Sequence, residues 1–214
     1  MGTIYISGSD TPIRVSKIIC VGRNYIEHAA EMKAEIPTEP VLFLKPPSAI
    51  VRSGGNIVYP AFSKEMHHEV ELVVAIGEHA KNIPASGAWN IVAGYGVGLD
   101  MTLRDIQGIA KKKGLPWSVA KGFDTSAPVS DFIPAASVGQ QPAFDIECRV
   151  NGAVRQRAST ASMMFDVGTL ISYISTIFTL EAGDLIFTGT PDGVAAVQPG
   201  DVIEAHLSGY ASLR

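Results

Sequence analysis

Little in this sequence points to a membrane, a disulfide scaffold or a nucleic acid. Hydrophobic residues make up 46% of the 214, yet no stretch approaches about 18 uninterrupted apolar residues, so no membrane-spanning helix is expected. The start, Met1-Gly2-Thr3-Ile4-Tyr5-Ile6, has no basic segment leading into an apolar one. The expectation is a cytoplasmic protein, not a secreted one. Cysteine is scarce. Cys20 and Cys148 lie in apolar segments without a partner at metal-ligand spacing, and they read as core thiols of a reducing compartment. Charged residues are only 18% and the net charge is −4, which weighs against a nucleic-acid partner. The one basic cluster, Lys111-Lys112-Lys113, reads as a solvated helix end. Several catalytic signatures are also missing. No serine sits in a Gly-x-Ser-x-Gly elbow, and no Gly-rich loop ends in Gly-Lys-Ser/Thr. Gly94-Tyr95-Gly96-Val97-Gly98 lacks the spacing of a dinucleotide fingerprint.

What is present is a series of short apolar runs rich in Val and Ile, separated by Gly and Pro. Ile18–Val21, Val41–Leu44, Val70–Ile76, Phe144–Val150, Asp184–Thr188 and Asp201–Leu207 read as strands. Asn151-Gly152 fits a two-residue hairpin turn between Ile146–Val150 and Ala153–Gln156. Three segments read as helices. Asn24–Met32 carries His28 and Glu31 three apart on one face. Thr102–Lys113 has Thr102 as an expected cap with Asp105 three residues on. Asp166–Phe178 keeps Val167, Leu170, Ile171, Ile174 and Ile177 on one apolar face. With no repeat and no convincing linker, one β-rich domain (16–214) with a short N-terminal extension (1–15) is expected. Low charge and high apolar content leave room for a subunit interface.

The most informative segment is His67-His68-Glu69-Val70-Glu71-Leu72-Val73-Val74. In a strand, Glu69 and Glu71 point to the same face. They fit either the wet side of a half-buried strand or a buried metal site, because carboxylates suit hard divalent cations. Asp100 ends another apolar run and supplies a third carboxylate. Adjacent His67 and His68 face opposite ways, so at most one of them belongs beside the acidic pair. Gly22-Arg23-Asn24-Tyr25 follows a strand and places Arg23 where an anion-binding group fits. His28 and Glu31 fit a base pair able to deprotonate water or an ordinary surface helix pair. Lys121, alone between Ala120 and Gly122, fits an oxyanion partner or a snorkelling surface lysine. Lys45 in Phe43-Leu44-Lys45-Pro46 fits a substrate contact or an ion pair to a nearby carboxylate. The Gly189-Thr190-Pro191 turn offers N–H groups and a hydroxyl to an anion.

Taken in order, these motifs resemble the fumarylacetoacetate hydrolase family. The segments that carry the likeness are Gly22-Arg23-Asn24-Tyr25 with His28, Phe43-Leu44-Lys45-Pro46, and His68-Glu69-Val70-Glu71-Leu72. They continue with Gly98-Leu99-Asp100-Met101-Thr102-Leu103-Arg104-Asp105, Ala120-Lys121-Gly122-Phe123-Asp124 and Thr188-Gly189-Thr190-Pro191-Asp192-Gly193-Val194. The likeness runs from about Ser16 to the C-terminus and is nearest to short members called acylpyruvases or fumarylpyruvate hydrolases. It implies an α+β, mostly β chain: a distorted mixed β-roll with a lid helix, usually a homodimer. It implies Mg²⁺ or Mn²⁺ on Glu69, Glu71 and Asp100. It also implies His28 and Glu31 as the water-activating pair, Lys121 beside the substrate, Arg104 and Gln107 near it, and Thr190 on the pyruvyl carboxylate. The implied substrates are 2,4-dioxo acids. Water attacks C4, the C3–C4 bond breaks and pyruvate leaves as its enolate, with fumarylpyruvate giving fumarate and pyruvate as the leading case. Oxaloacetate presents the same carboxylate and 2-oxo group, so a decarboxylase or a related diacid decarboxylase/isomerase is the alternative. Ser162, Gly168 and Ala195-Ala196 depart from the pattern of near relatives without touching the metal residues.

Overall fold

The computed structural model describes residues 2–31 and 35–214. The chain is mostly β, built on a curled mixed sheet with few helices. The largest sheet runs in the order Val41–Lys45, Ile18–Gly22, Leu185–Phe187, Val70–Ile76, Val92–Leu99, Ala127–Val129, Ile50–Arg52, and Ile133–Pro134 also pairs with Val92–Leu99. It is mixed because Leu185–Phe187 runs parallel to Ile18–Gly22, and Ala127–Val129 parallel to Ile50–Arg52. An antiparallel four-stranded sheet (Ala153–Ser159, Asp145–Val150, Ile203–Leu207, Ala211–Leu213) packs against it. A small third sheet joins Ala195–Val197, Met66–His68 and Thr102–Leu103.

Every residue of Val70–Ile76 is buried because the large sheet is covered on both faces. Val70, Leu72, Val74 and Ile76 enter the larger core, together with the apolar face of the Val167–Ile177 helix. Val73 and Ala75 enter a smaller core with Ile18, Cys20, Val129 and Phe187. Glu71 has the parity of Val73, so it stands at the end of that smaller core with a charge where packing alone asks for an apolar side chain. The glycines of Val92–Leu99 are set by close approach. A Cβ on Gly98 would lie 2.7 Å from Val73 Cγ2, 2.9 Å from Phe187 Cε1 and 3.0 Å from the Pro128 carbonyl oxygen.

Residues 2–15 are tied onto this frame. Thr3–Ile4 pairs with Ile13–Arg14, and Ile4 and Val15 fill the smaller core. The expected strands form with ends shifted by at most three residues, and Asn151-Gly152 turns the hairpin with both residues at positive φ. The Val167–Ile177 helix starts at Asp166, whose Oδ1 accepts from Thr169 N at 2.7 Å. The first helix spans Ile26–Glu31, and Met32 lies outside the described residues. One expectation is corrected. Thr102 does not cap a helix, because Thr102–Leu103 is a strand paired with Met66–His67 and the helix is Arg104–Lys113. Asp105 accepts from Ile106 N in the first turn of that helix and also from Ser63 Oγ and Lys64 N, which tie the preceding loop to it. Gly168, one of the departures noted above, leaves room for Trp89, whose Nε1 would stand 2.5 Å from an added Cβ. Among the described residues no helix is long and apolar enough to cross a membrane.

Candidate metal centre and base pair

Glu69, Glu71 and Asp100 come together because Val70–Ile76 and Val92–Leu99 pair antiparallel. Val70 faces Leu99, Glu71 faces Gly98, and Asp100 N donates to the Glu69 carbonyl at 2.8 Å. That register puts Asp100 directly across from Glu69 and on the same face as Glu71. One carboxylate oxygen from each of the three lies within 4.8 Å of the others, and all three residues are buried. The wet-face reading is thereby excluded.

Compensation of the three charges is uneven. Glu69 accepts from Arg104 Nη2 at 2.6 Å and Lys121 Nζ at 2.7 Å. Burial works against its charge, yet Lys121 and Arg104 outweigh it and hold the carboxyl well below its usual range. Asp100 takes Lys121 Nζ on Oδ2 at 2.5 Å. Its Oδ1 forms a buried ion pair with Lys45 Nζ at 2.8 Å. Glu71 is worst served. Among the described residues its carboxylate accepts only from Gly189 N, at 2.7 Å, and has no cationic partner. Burial, then Asp100 and Glu69, push its pKa well above the ordinary 4.5. Lys45, Lys121 and Arg104 stand against Asp100 and Glu69, so it is Glu71, buried with only Gly189 N, that leaves this hard all-oxygen donor set open to a cation. The residues fit a divalent cation of the Mg²⁺ or Mn²⁺ type.

The base pair sits at the rim. His28, on the Ile26–Glu31 helix, is buried and lines the same small cavity as Glu69, Glu71 and Asp100. Its Nδ1 stands 3.3 Å from Glu31 Oε2, while Glu31 Oε1 accepts from Gly193 N at 3.2 Å. With Nδ1 facing a carboxylate, Nε2 is left as the free lone pair. Burial lowers the His28 pKa below 6.5 in spite of Glu69 and Glu31, so the ring is neutral at physiological pH. The helix is anchored by buried Asn24, whose Nδ2 donates to the Phe165 and Thr188 carbonyls and whose Oδ1 accepts from Phe165 N.

The cavity is about 30 Å³ and is also lined by Arg23, Arg104, Gln107, Lys121 and Thr190. Gln107 accepts from Arg104 Nη1 at 2.7 Å. Arg23 sits at the mouth with φ 61, a left-handed backbone that costs a non-glycine residue on the order of 1 kcal/mol. Two expected site residues stand outside the lining. Glu31 lies behind His28. Lys45 lies beneath Asp100, where its Nζ also donates to the Met101 and Lys121 carbonyls. His67 and His68 are not part of the cluster. His67 pairs with Glu65, and His68 points into the interior toward Gln156.

Some contributors escaped sequence reasoning. Lys111 to Lys113 form the exposed end of the Arg104–Lys113 helix, as expected, but Lys111 also lines the cavity with Nζ 5.4 Å from the Trp117 ring, and Trp117 stands beside Phe43 in the lining. Gln156, buried on the Ala153–Ser159 strand, donates from Nε2 to Thr190 Oγ1 at 2.8 Å. Trp117 and Lys111 lay in plain view near the helix that follows Asp100, but nothing in their spacing separates a cavity wall from a surface.

Comparison with known proteins places the whole chain. The model of the fumarylacetoacetate (FAA) hydrolase C-terminal domain matches residues 17–214. The rat (Rattus norvegicus) oxaloacetate tautomerase FAHD1, mitochondrial, is 49% identical over 197 residues, which is 92% of this chain and 89% of that protein. The mitochondrial oxaloacetate decarboxylase of Dictyostelium discoideum is 50% identical over 194 residues, 90% of this chain and 89% of that one. The crystal structure of fumarylpyruvate hydrolase from Pseudomonas aeruginosa, in complex with Mn²⁺ and pyruvate, superposes with a TM-score of 0.93. It is 41% identical and the match covers 99% of this chain and 93% of that one. With its fold and nearly its whole length matched, the chain belongs to the fumarylacetoacetate hydrolase family.

Proposed function

We propose that this chain is a divalent-metal enzyme that makes and consumes the C3 enolate of small 2-oxo diacids, with oxaloacetate keto–enol interconversion as its leading reaction. The observation that carries the reading is the placement of His28, oriented by Glu31 and facing the same cavity as the three carboxylates. A cation held by Glu69, Glu71 and Asp100 would supply Lewis-acid polarisation of the 2-oxo group. His28 Nε2 takes a proton from C3, and the C–H electrons form the C2–C3 double bond as charge moves to the 2-oxygen. The proton His28 has gained is the one that oxygen needs, so no co-reactant is consumed. Lys121, whose charge Asp100 and Glu69 keep in place against the cost of burial, serves as a hydrogen-bond donor and not as an acid. Arg23 and Lys111 at the mouth give a second carboxylate its partners, and Thr190 gives the first one a donor.

Acylpyruvate hydrolysis is the second reading, favoured by the likeness to the fumarylpyruvate hydrolase. There His28 deprotonates water, hydroxide adds to C4, and the C3–C4 bond breaks with its electrons passing to the pyruvyl enolate, which is protonated at C3. This route needs room for an acyl group, and the cavity, with Phe43 and Trp117 in its lining, is only about 30 Å³. A four-carbon diacid asks for the least opening. A cytoplasmic location and a homodimer belong to the same proposal.

The test is one panel with Mg²⁺ or Mn²⁺. Ultraviolet absorbance follows the oxaloacetate enol, and a coupled dehydrogenase follows pyruvate release from oxaloacetate, acetylpyruvate and fumarylpyruvate. The proposal expects enol equilibration without pyruvate release, lost in His28→Ala. Faster pyruvate release from fumarylpyruvate than equilibration of oxaloacetate would establish the second reading instead. Activity unchanged by His28→Ala would remove the base assignment from both.

A further inference from the structure

Gln156 has all its hydrogen-bonding capacity assigned by fixed partners. Its Oε1 accepts from Val70 N at 3.0 Å and lies 2.9 Å from His68 Nδ1. Its Nε2 donates to the Pro191 carbonyl at 2.9 Å and to Thr190 Oγ1 at 2.8 Å. A backbone N–H can only donate and a backbone carbonyl can only accept, so the two main-chain contacts fix which end of the amide is which. His68 must then carry its proton on Nδ1. The remaining Nε2 proton points at Thr190, so the Thr190 oxygen accepts there and its own proton is left over. Among the described residues that hydroxyl has no other hydrogen-bond partner, and Thr190 lines the cavity beside Glu71 and Asp100.

We propose that Gln156 is a positioning residue that polarises Thr190, obliging its hydroxyl to donate into the cavity and so to bind a carboxylate oxygen of the substrate. A threonine hydroxyl otherwise rotates freely between donating and accepting. With its acceptor side engaged by an amide that cannot flip, it offers an anion a proton without reorganisation. The same amide ties the Gly189-Thr190-Pro191 turn to the start of the Val70–Ile76 strand. The anion donor and two of the three carboxylates are thereby held to one element. This rests on the 2-oxo acid reading above.

The experiment is a double-mutant cycle on pyruvate binding to the Mn²⁺-loaded protein by titration calorimetry, with Gln156→Met made in the Thr190 and Thr190→Val backgrounds. Losing a charge-assisted donor raises the pyruvate Kd about tenfold or more. The proposal expects that loss for Thr190→Val, and for Gln156→Met in the Thr190 background, where the hydroxyl remains but is no longer held to donate, a Kd raised at least about threefold at unchanged Mn²⁺ affinity. In the Thr190→Val background, where no hydroxyl remains to polarise, the same substitution changes the Kd by less than about twofold. Gln156→Glu keeps the acceptor for Val70 and His68 and goes through the same cycle should the methionine variant not fold. Its second oxygen faces Thr190 Oγ1 and accepts the hydroxyl's proton, so it withdraws the donor in the Thr190 background and has none to withdraw in Thr190→Val. Equal losses in the two backgrounds would mean that Gln156 only supports the fold, and would overturn the proposal. A wild type that binds Mn²⁺ but no pyruvate would overturn the 2-oxo acid reading and this proposal with it.

Discussion

Replacing Glu71 with glutamine is expected to move stability in opposite directions with and without metal. In the metal-free protein Glu71 has one neutral partner, Gly189 N, which the glutamine oxygen retains. Nothing cationic is left behind, so the substitution avoids the heavy loss of breaking a buried ion pair. It also relieves the carboxylate of its burial and of its repulsion by Asp100 and Glu69. Each pKa unit by which a carboxyl is raised costs about 1.4 kcal/mol of stability once the pH is above both values. The metal-free variant should therefore gain on the order of 1 kcal/mol at neutral pH, or about 2–4 °C in melting temperature for a chain of this size. The sign with pH follows from the raised value. Glu71 favours the fold fully below the ordinary carboxyl value of 4.5, and that contribution is lost as pH rises through its higher folded-state pKa. The variant lacks this decline. With metal the order reverses. A ligand at one hundred times its Kd contributes about 2.7 kcal/mol, or roughly 5–11 °C. If losing one charged ligand weakens binding about a hundredfold, the same concentration contributes only about 0.4 kcal/mol. Circular-dichroism melts in EDTA and in Mn²⁺ measure both quantities. The reasoning is refuted if Glu71→Gln lowers metal-free stability by more than about 2 kcal/mol, or if its melting temperature rises with Mn²⁺ as much as the wild type's does.

His28→Ala should lower turnover by about 10²- to 10⁴-fold while leaving the Mn²⁺-induced melting shift intact, as separate rate and melting measurements would show. Because burial lowers the His28 pKa below 6.5, the acidic limb of the rate profile should fall below that pH. A limb above it would assign the base elsewhere. Gly98→Ala should cost about 1–3 kcal/mol in a denaturant titration, since the new methyl meets Val73, Phe187 and the Pro128 backbone within 3.0 Å. Asp166→Ala should cost about 1 kcal/mol through loss of the cap to Thr169, with no change in turnover.

How far the sequence could be read depended on how local each determinant is. Val70–Ile76 was legible because a run of apolar residues with one buried parity broken by Glu71 needs no distant information. Glu69, Glu71 and Asp100 were legible as candidates. Their meeting rests on the pairing of Val70 with Leu99, which lies beyond any local window. Thr102 misled for the same reason: a cap is a local preference, and pairing with His67 in another strand overrides it. Gln156 shows the limit most clearly. The Asn151-Gly152 turn pairs Val150 with Ala153 and Arg149 with Val154, and an unbroken hairpin would continue with Cys148 opposite Arg155 and Glu147 opposite Gln156. The structure instead pairs Cys148 with Gln156 and Glu147 with Arg157, because the register shifts at Cys148/Arg149 and Arg155 is the extra residue. A slip of one residue exchanges the faces of everything beyond it. Arg157 is thereby sent out to pair with Glu147, and Gln156 is sent in, where its amide reaches Thr190. A polar residue on a hairpin strand looks solvated in any pattern of alternation. Only the bulge turns it into part of the site.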